Sequence, residues 1–224
     1  MPNAQELGEK FWAELAEQQK TWRWGVQQDL SIAKLDTEQR RHASPASAAG
    51  NDLLYEETVT PPCALWIAGA GHIAQAVAPL ALNLDFAVTV FDDRPALVNH
   101  SVFPREVCLR AEVWEKLLAE PLPETPIFGL IVTRGHRHDA LVLKEWIHKP
   151  FAFLGMIGSK RKARTVFDHF IEEKLATPEE LQRVACPVGI KIRSQSVMEI
   201  AISIMAQFID KRAELVHART EVAG

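Results

Sequence analysis

Seven consecutive residues, CALWIAG at positions 63–69, carry no charged or strongly polar side chain. A strand of that kind buries both faces, which confines it to the interior of a parallel sheet covered by helices on each side. The chain then turns on Gly69-Ala70-Gly71 and continues as HIAQAVAPLALNL, an apolar stretch with helical spacing. Strand, glycine turn and helix in that order predict an α/β fold, a Rossmann-like three-layer sandwich with a mostly parallel sheet.

The alternation persists to the end of the chain. FAVTVFDD and IFGLIVT read as further strands, EVCLR as a short one, and FAFLGMIG as a strand and turn. EVWEKLLAE, HDALVLKEWIHK and KRKARTVFDHFIEEK read as the helices between them. Thr177-Pro178 with Glu180, and Ser196 with Glu199, carry the spacing of helix starts capped reciprocally by side chains. Residues 1–50 differ in texture. Leu7, Phe11, Leu15, Trp22, Val26 and Leu30 recur at helical steps, and RRHASPASAAGND at 40–52 is small, polar and turn-rich. The expected division is a helical N-terminal extension and linker over 1–50, then a Rossmann domain over 51–224. LLYEETV is an edge strand closed by Pro61-Pro62. Three of the six tryptophans fall in the first 24 residues and need covering by the main domain or a partner.

Composition narrows the function classes. A net charge of −4 gives no footprint for nucleic acid or a polybasic membrane contact. No apolar run reaches the roughly 18 residues of a bilayer span, and the N-terminus lacks a secretory pattern. Cys63, Cys108 and Cys186 form no CxxC pair, which favours free thiols in a reducing, cytoplasmic setting over a disulfide framework or zinc site.

Three loops carry the candidate chemistry. In Gly69-x-Gly71-x-x-Ala74, the first glycine permits the tight turn and the second lets backbone approach a phosphate. Ala74 replaces the third glycine, and the helix start at His72 and Ile73 offers unpaired amides to an anion. About twenty residues on come Asp92 and Asp93, where an acid would hold a ribose hydroxyl. Arg94 beside them leaves the choice between the two nicotinamide cofactors open. The plain alternative is a turn that only packs a helix on a sheet. The second loop, TRGHRHD, presents Thr133, Arg134, Gly135, His136 and His138 at the end of a strand. Its histidines suit proton transfer, oxyanion binding or a metal, with no third ligand in view, so no metal site is expected. The third, GMIGSKRK, presents Gly158, Ser159, Lys160 and Arg161. Cations there oppose the helix dipole, an arrangement that makes sense when an anion sits among them.

YEETVTPP, LWIAGAGHIAQA, VTVFDDR, TRGHRHD, FAFLGMIGSKRK, CPVGIKI and MEIAISIMAQFI, taken in order, resemble the C-terminal Rossmann domain of the XdhC/CoxI family, the xanthine and carbon-monoxide dehydrogenase maturation factors. The resemblance implies a chaperone rather than a catalyst. Such proteins bind the molybdenum cofactor, protect it while its sulfido ligand is installed, and hand it to a molybdenum hydroxylase. The implied ligand is molybdopterin or a nucleotide, NAD(P) included. The implied partners are the hydroxylase client, a cysteine desulfurase and a second copy in a homodimer, with no nucleic acid or membrane. Two departures stand out. The family's glycine-rich, cysteine-containing N-terminal stretch has no counterpart in residues 1–60, and Arg193 occupies a position where glycine is common. Cys186 is the one cysteine inside a matched motif, its role open between packing and ligation. Two other readings remain: an NAD(P)-dependent oxidoreductase using His136 or His138 as proton donor, and a non-catalytic adaptor with a structural Rossmann domain.

Overall fold

The computed structural model describes residues 22–27, 32–35, 53–59 and 62–222. Its contacts divide the chain into one unit of Met1–Pro61 with Glu221–Gly224, and a second of Pro62–Thr220.

In the first unit, β1 (Trp22–Gln27), β2 (Ile32–Leu35) and β3 (Leu53–Val59) form a three-stranded antiparallel sheet in the order β2-β1-β3. This corrects the expected helix over the described part of residues 1–50. Trp22, Trp24 and Val26 fit a two-residue period as well as Trp22, Val26 and Leu30 fit a helical one. Pairing decides between them, with Trp24 opposite Lys34 on one side and Glu57 on the other. β3 is an edge strand, as expected, but of this small sheet. The helical reading of residues 6–21 and the linker reading of 40–52 lie outside the described residues.

The second unit is the Rossmann sandwich. Its sheet contains β4 (Ala64–Ala68), β5 (Ala87–Asp92), β6 (Cys108–Ala111), β7 (Ile127–Ile131), β8 (Phe153–Met156) and β9 (Val184–Ala185). All pairings are parallel and the order is β6-β5-β4-β7-β8-β9. The helices are α1 (His72–Leu82), α2 (Trp114–Leu117), α3 (His136–Trp146), α4 (Lys160–Glu172), α5 (Pro178–Gln182) and α6 (Val197–Val222).

Alternation along β4 assigns the layers. Leu65 and Ile67 point to the side covered by α1 through Ala74, Val77, Ala78 and Ala81, and by α6 through Ile204, Met205 and Phe208. Trp66 and Ala68 point to the other side, against Trp114 of α2, Trp146 of α3, Phe170 of α4 and Leu181 of α5. Leu65, Ile67, Phe128 and Leu130 are fully buried, each contributing roughly 1.5–3 kcal/mol relative to exposure. Trp66 meets Phe91 edge-on at 5.1 Å between ring centroids, fixing β4 against β5 on that face. Both caps read from sequence are present: Thr177 and Glu180 bond reciprocally at α5, as do Ser196 and Glu199 at α6.

The strand order reverses direction between β4 and β7, so their carboxyl ends frame the switch point where such sheets take ligands. The glycine turn leaves β4 there and the 133–139 loop leaves β7.

Candidate functional site

Gly69 sits at φ +112°, and a Cβ on it would collide with the Val132 carbonyl at the end of β7. Glycine is therefore demanded by the chain's own packing. The turn is also stitched to β5: the Gly69 amide donates to the Phe91 carbonyl at 2.7 Å and the Ala70 amide to Asp92 Oδ2 at 2.7 Å. Gly71 is the opposite case. Its backbone is extended, at φ −75° and ψ −176°, and a Cβ there would meet nothing within 4 Å among the described residues. It is the N-cap of α1 and supplies no side-chain cap, so the first amides of the helix, from His72 and Ile73 onward, have no intrahelical acceptor. No acid stands in that first turn.

Asp92 does not face outward to a ribose as expected. It is 1% exposed, and Oδ1 accepts from the Arg94 amide at 3.0 Å and Arg94 Nε at 2.7 Å. Oδ2 accepts from Arg94 Nη2 at 2.7 Å besides the Ala70 amide. Burial, the largest single influence, pushes the carboxyl up. The Arg94 fork and the two amides outweigh it and hold Asp92 below the usual carboxylate range. The same fork raises Arg94. Sequence spacing located this acid but could not show that its neighbour two residues on would occupy it.

Asp93 lies farther out, half-buried, and links β5 to the second loop: Arg134 Nη2 donates to its Oδ2 at 3.1 Å. The same guanidinium nitrogen lies 3.1 Å from His138 Nε2. Arginine only donates, so a hydrogen bond between them needs His138 Nε2 as the acceptor. Its ring lies beside Trp114, 6.4 Å between centroids. His136 is exposed at the first position of α3, whose N-cap Gly135 provides no side-chain bond and has open space where a Cβ would be. The described residues contain no group of three metal-ligating side chains.

Asp139, fully buried, proves more central than its reading as a helix cap. Its Oδ1 accepts from the Thr133 amide at 3.0 Å and the Thr133 hydroxyl at 2.6 Å, and its Oδ2 from Lys162 Nζ at 2.5 Å. Lys162 also reaches the Ile157 carbonyl at 3.3 Å. The third loop is thereby tied to the second. The anion that offsets one of its three cations, Lys162, therefore belongs to the chain itself. Ser159 caps α4 by accepting from the Lys162 amide at 3.2 Å, whereas Lys160 and Arg161 stand exposed. Gly158 backs onto Cys186 Sγ and the Lys162 stem. Burial pushes the Cys186 thiol up to about 11 despite Lys162, with Asp139 adding to the rise, so it is a packed thiol at neutral pH rather than an activated one.

The three loops thus lie side by side along one sheet edge, joined by the Gly69–Val132 contact and the Asp93–Arg134 and Asp139–Lys162 pairs. A cavity of about 400 Å³ lies elsewhere, under the amino ends of β8 and β9, lined by Trp146, Phe151, Arg183 and Lys211 among others. The candidate site is assigned to the switch-point edge because the unclaimed amides and outward cations are there.

A sequence profile described as the XdhC Rossmann domain matches residues 65–208. "Uncharacterized protein YqeB" of Escherichia coli is 33% identical over 146 residues, covering 65% of this chain and 26% of that protein. A Bacillus subtilis protein named as a probable xanthine dehydrogenase subunit is 26% identical over 159 residues, covering 71% of this chain and 46% of that protein. The matched stretch thus spans less than half the length of these curated relatives. A crystal structure of a Bacillus halodurans protein named a xanthine dehydrogenase superposes with a TM-score of 0.74 at 21% identity, over 93% of this chain and 64% of that one. That likeness is one of fold.

Proposed function

Because this chain belongs to the XdhC Rossmann-domain family, we propose that it is an accessory protein in the maturation of a molybdenum hydroxylase of the xanthine dehydrogenase type. On this reading it holds the molybdenum cofactor, or a nucleotide form of it, at the switch-point edge and delivers it to the client enzyme. The observation that carries the reading is Gly71. Nothing among the described residues requires a glycine there, yet it stands at the uncapped start of α1 with room for a guest against the backbone. Molybdopterin ends in a phosphate, and the residues suit that chemistry. The amides of His72 and Ile73 would take the phosphate, with His136, Lys160 and Arg161 as exposed polar and cationic groups on the two neighbouring loops. When bound, the cofactor supplies the oxo-metal centre that the client uses. The chain's residues bind, orient and shield it.

The partners on this reading are the hydroxylase, a cysteine desulfurase and a second copy of the chain. Exposed Met198, Ile202 and Ile209 on α6 provide apolar contact surface. None of the three cysteines is in a disulfide, in keeping with a reducing cytoplasm, and no described helix is long and apolar enough to cross a membrane.

The test is mass spectrometry of small molecules that copurify with the native protein, repeated on Gly71→Val. A pterin phosphate should accompany the parent and be lost from the variant. The variant's stability should stay within about 0.5 kcal/mol, since its extended backbone accepts valine. Undiminished ligand on Gly71→Val would remove the glycine turn from the site.

A further inference from the structure

We propose that the Asp92–Arg94 fork makes the switch-point site selective for a phosphate-terminated ligand over an adenine dinucleotide, an inference that rests on the anionic-cofactor reading of the same edge. A Rossmann domain holds a dinucleotide at two places: the pyrophosphate at the start of the first helix, and the adenosine ribose diol on the acid ending the next strand. The first place is open here, at Gly71 and the unclaimed amides of α1. The second is filled. An ionised carboxylate offers about four acceptor positions, and those of Asp92 take the Ala70 amide, the Arg94 amide, Arg94 Nε and Arg94 Nη2. A diol would have to displace a two-pronged, charge-assisted pair whose acid is buried.

The neighbouring acid, Asp93, is itself paired through one oxygen. Asp93 is engaged by Arg134 at 3.1 Å, with Arg94 Nε 4.0 Å from its other oxygen. Two acids and two guanidinium groups therefore balance locally, leaving no surplus cation among them to receive the 2′-phosphate of an NADP-type ligand. A phosphate at α1 requires none of these groups. Lys160 and Arg161, on the loop tied to the second by the Asp139–Lys162 pair, are exposed and stand outside this balance.

Removing the Arg94 side chain would leave Asp92 its two backbone donors and free one position on each oxygen, the pair of acceptors that a diol needs. The experiment is calorimetric titration of the full chain with phenyl phosphate, NAD+ and NADP+, on the parent and on Arg94→Ala, with Arg94→Gln as a milder variant should the alanine form melt early. The parent should bind phenyl phosphate and neither dinucleotide, and Arg94→Ala or Arg94→Gln should gain NAD+ affinity by about tenfold or more. NAD+ bound by the parent at least as tightly as phenyl phosphate overturns the proposal while leaving an anion site in place. NADP+ bound by the parent and lost on Arg94→Ala also overturns it, making Arg94 a receptor for the 2′-phosphate. No gain of NAD+ in either folded variant removes the fork as the cause of selectivity. Failure of the parent to bind any of the three, with native ligand also absent, strikes the underlying cofactor reading instead.

Discussion

Arg193 is held at φ +58°, a conformation that L-residues adopt at a cost of roughly 1–2 kcal/mol and that glycine adopts freely. The family resemblance leads one to expect glycine commonly at this position, and the positive φ gives that departure a backbone consequence. Arg193→Gly should raise stability by about 0.5–1 kcal/mol, the relief being partly offset by glycine's greater freedom in the unfolded chain. In a thermal melt that is roughly 1–4 °C, and an unchanged or lower midpoint would show that the side chain makes a contact outweighing its backbone. At this scale, what the sequence reveals depends on distance. The Thr177 and Ser196 caps are legible because donor and acceptor lie three residues apart. Lys162 is less conspicuous than Lys160 and Arg161, because its partner Asp139 lies 23 residues away and only the fold brings them together.

Elements declare themselves in sequence when one period excludes the other. The strand β4, the turn and the helix α1 do so, since an all-apolar run admits no surface strand and the glycines end it. Residues 22–35 do not, and antiparallel pairing with the distant β3 settles their described part as strands. The two glycines of the turn also separate at this scale. Gly69→Ala should cost about 3 kcal/mol, combining an unfavourable positive φ with collision against the Val132 backbone. Gly71→Ala should cost no more than about 0.5 kcal/mol. Urea unfolding of both variants checks this. Equal losses would mean that the turn tolerates or rejects side chains as a unit and that Gly71 is not reserved for a guest.

For the whole molecule, acid response follows from the stitch between β4 and β5. Asp92 ionises more readily in the folded chain than in the unfolded one, so its ionised form favours the fold above the ordinary value of 3.8. That contribution is lost as pH falls below 3.8 and through the lowered folded value, where the native carboxylate takes up its proton. Asp92→Asn should therefore be less stable than the parent at pH 7, and the gap should narrow steadily below pH 4. A gap of constant size across an acid titration would mean that the loss is one of shape and not of charge. The α/β architecture is legible from strand–helix alternation, but the order β6-β5-β4-β7-β8-β9 is not, because nothing in an apolar strand names its neighbours. The switch point, and with it the site, becomes visible only once that order is known.

The outermost strand on one side of this sheet, β9, is two residues long and is followed at once by Cys186 and Pro187. So short a border gives a foreign chain almost no template to copy, and the proline lacks the amide that a longer ladder would need. The sandwich is thereby guarded on that flank against fibril growth and strand exchange, and can crowd at high concentration without joining sheet to sheet there.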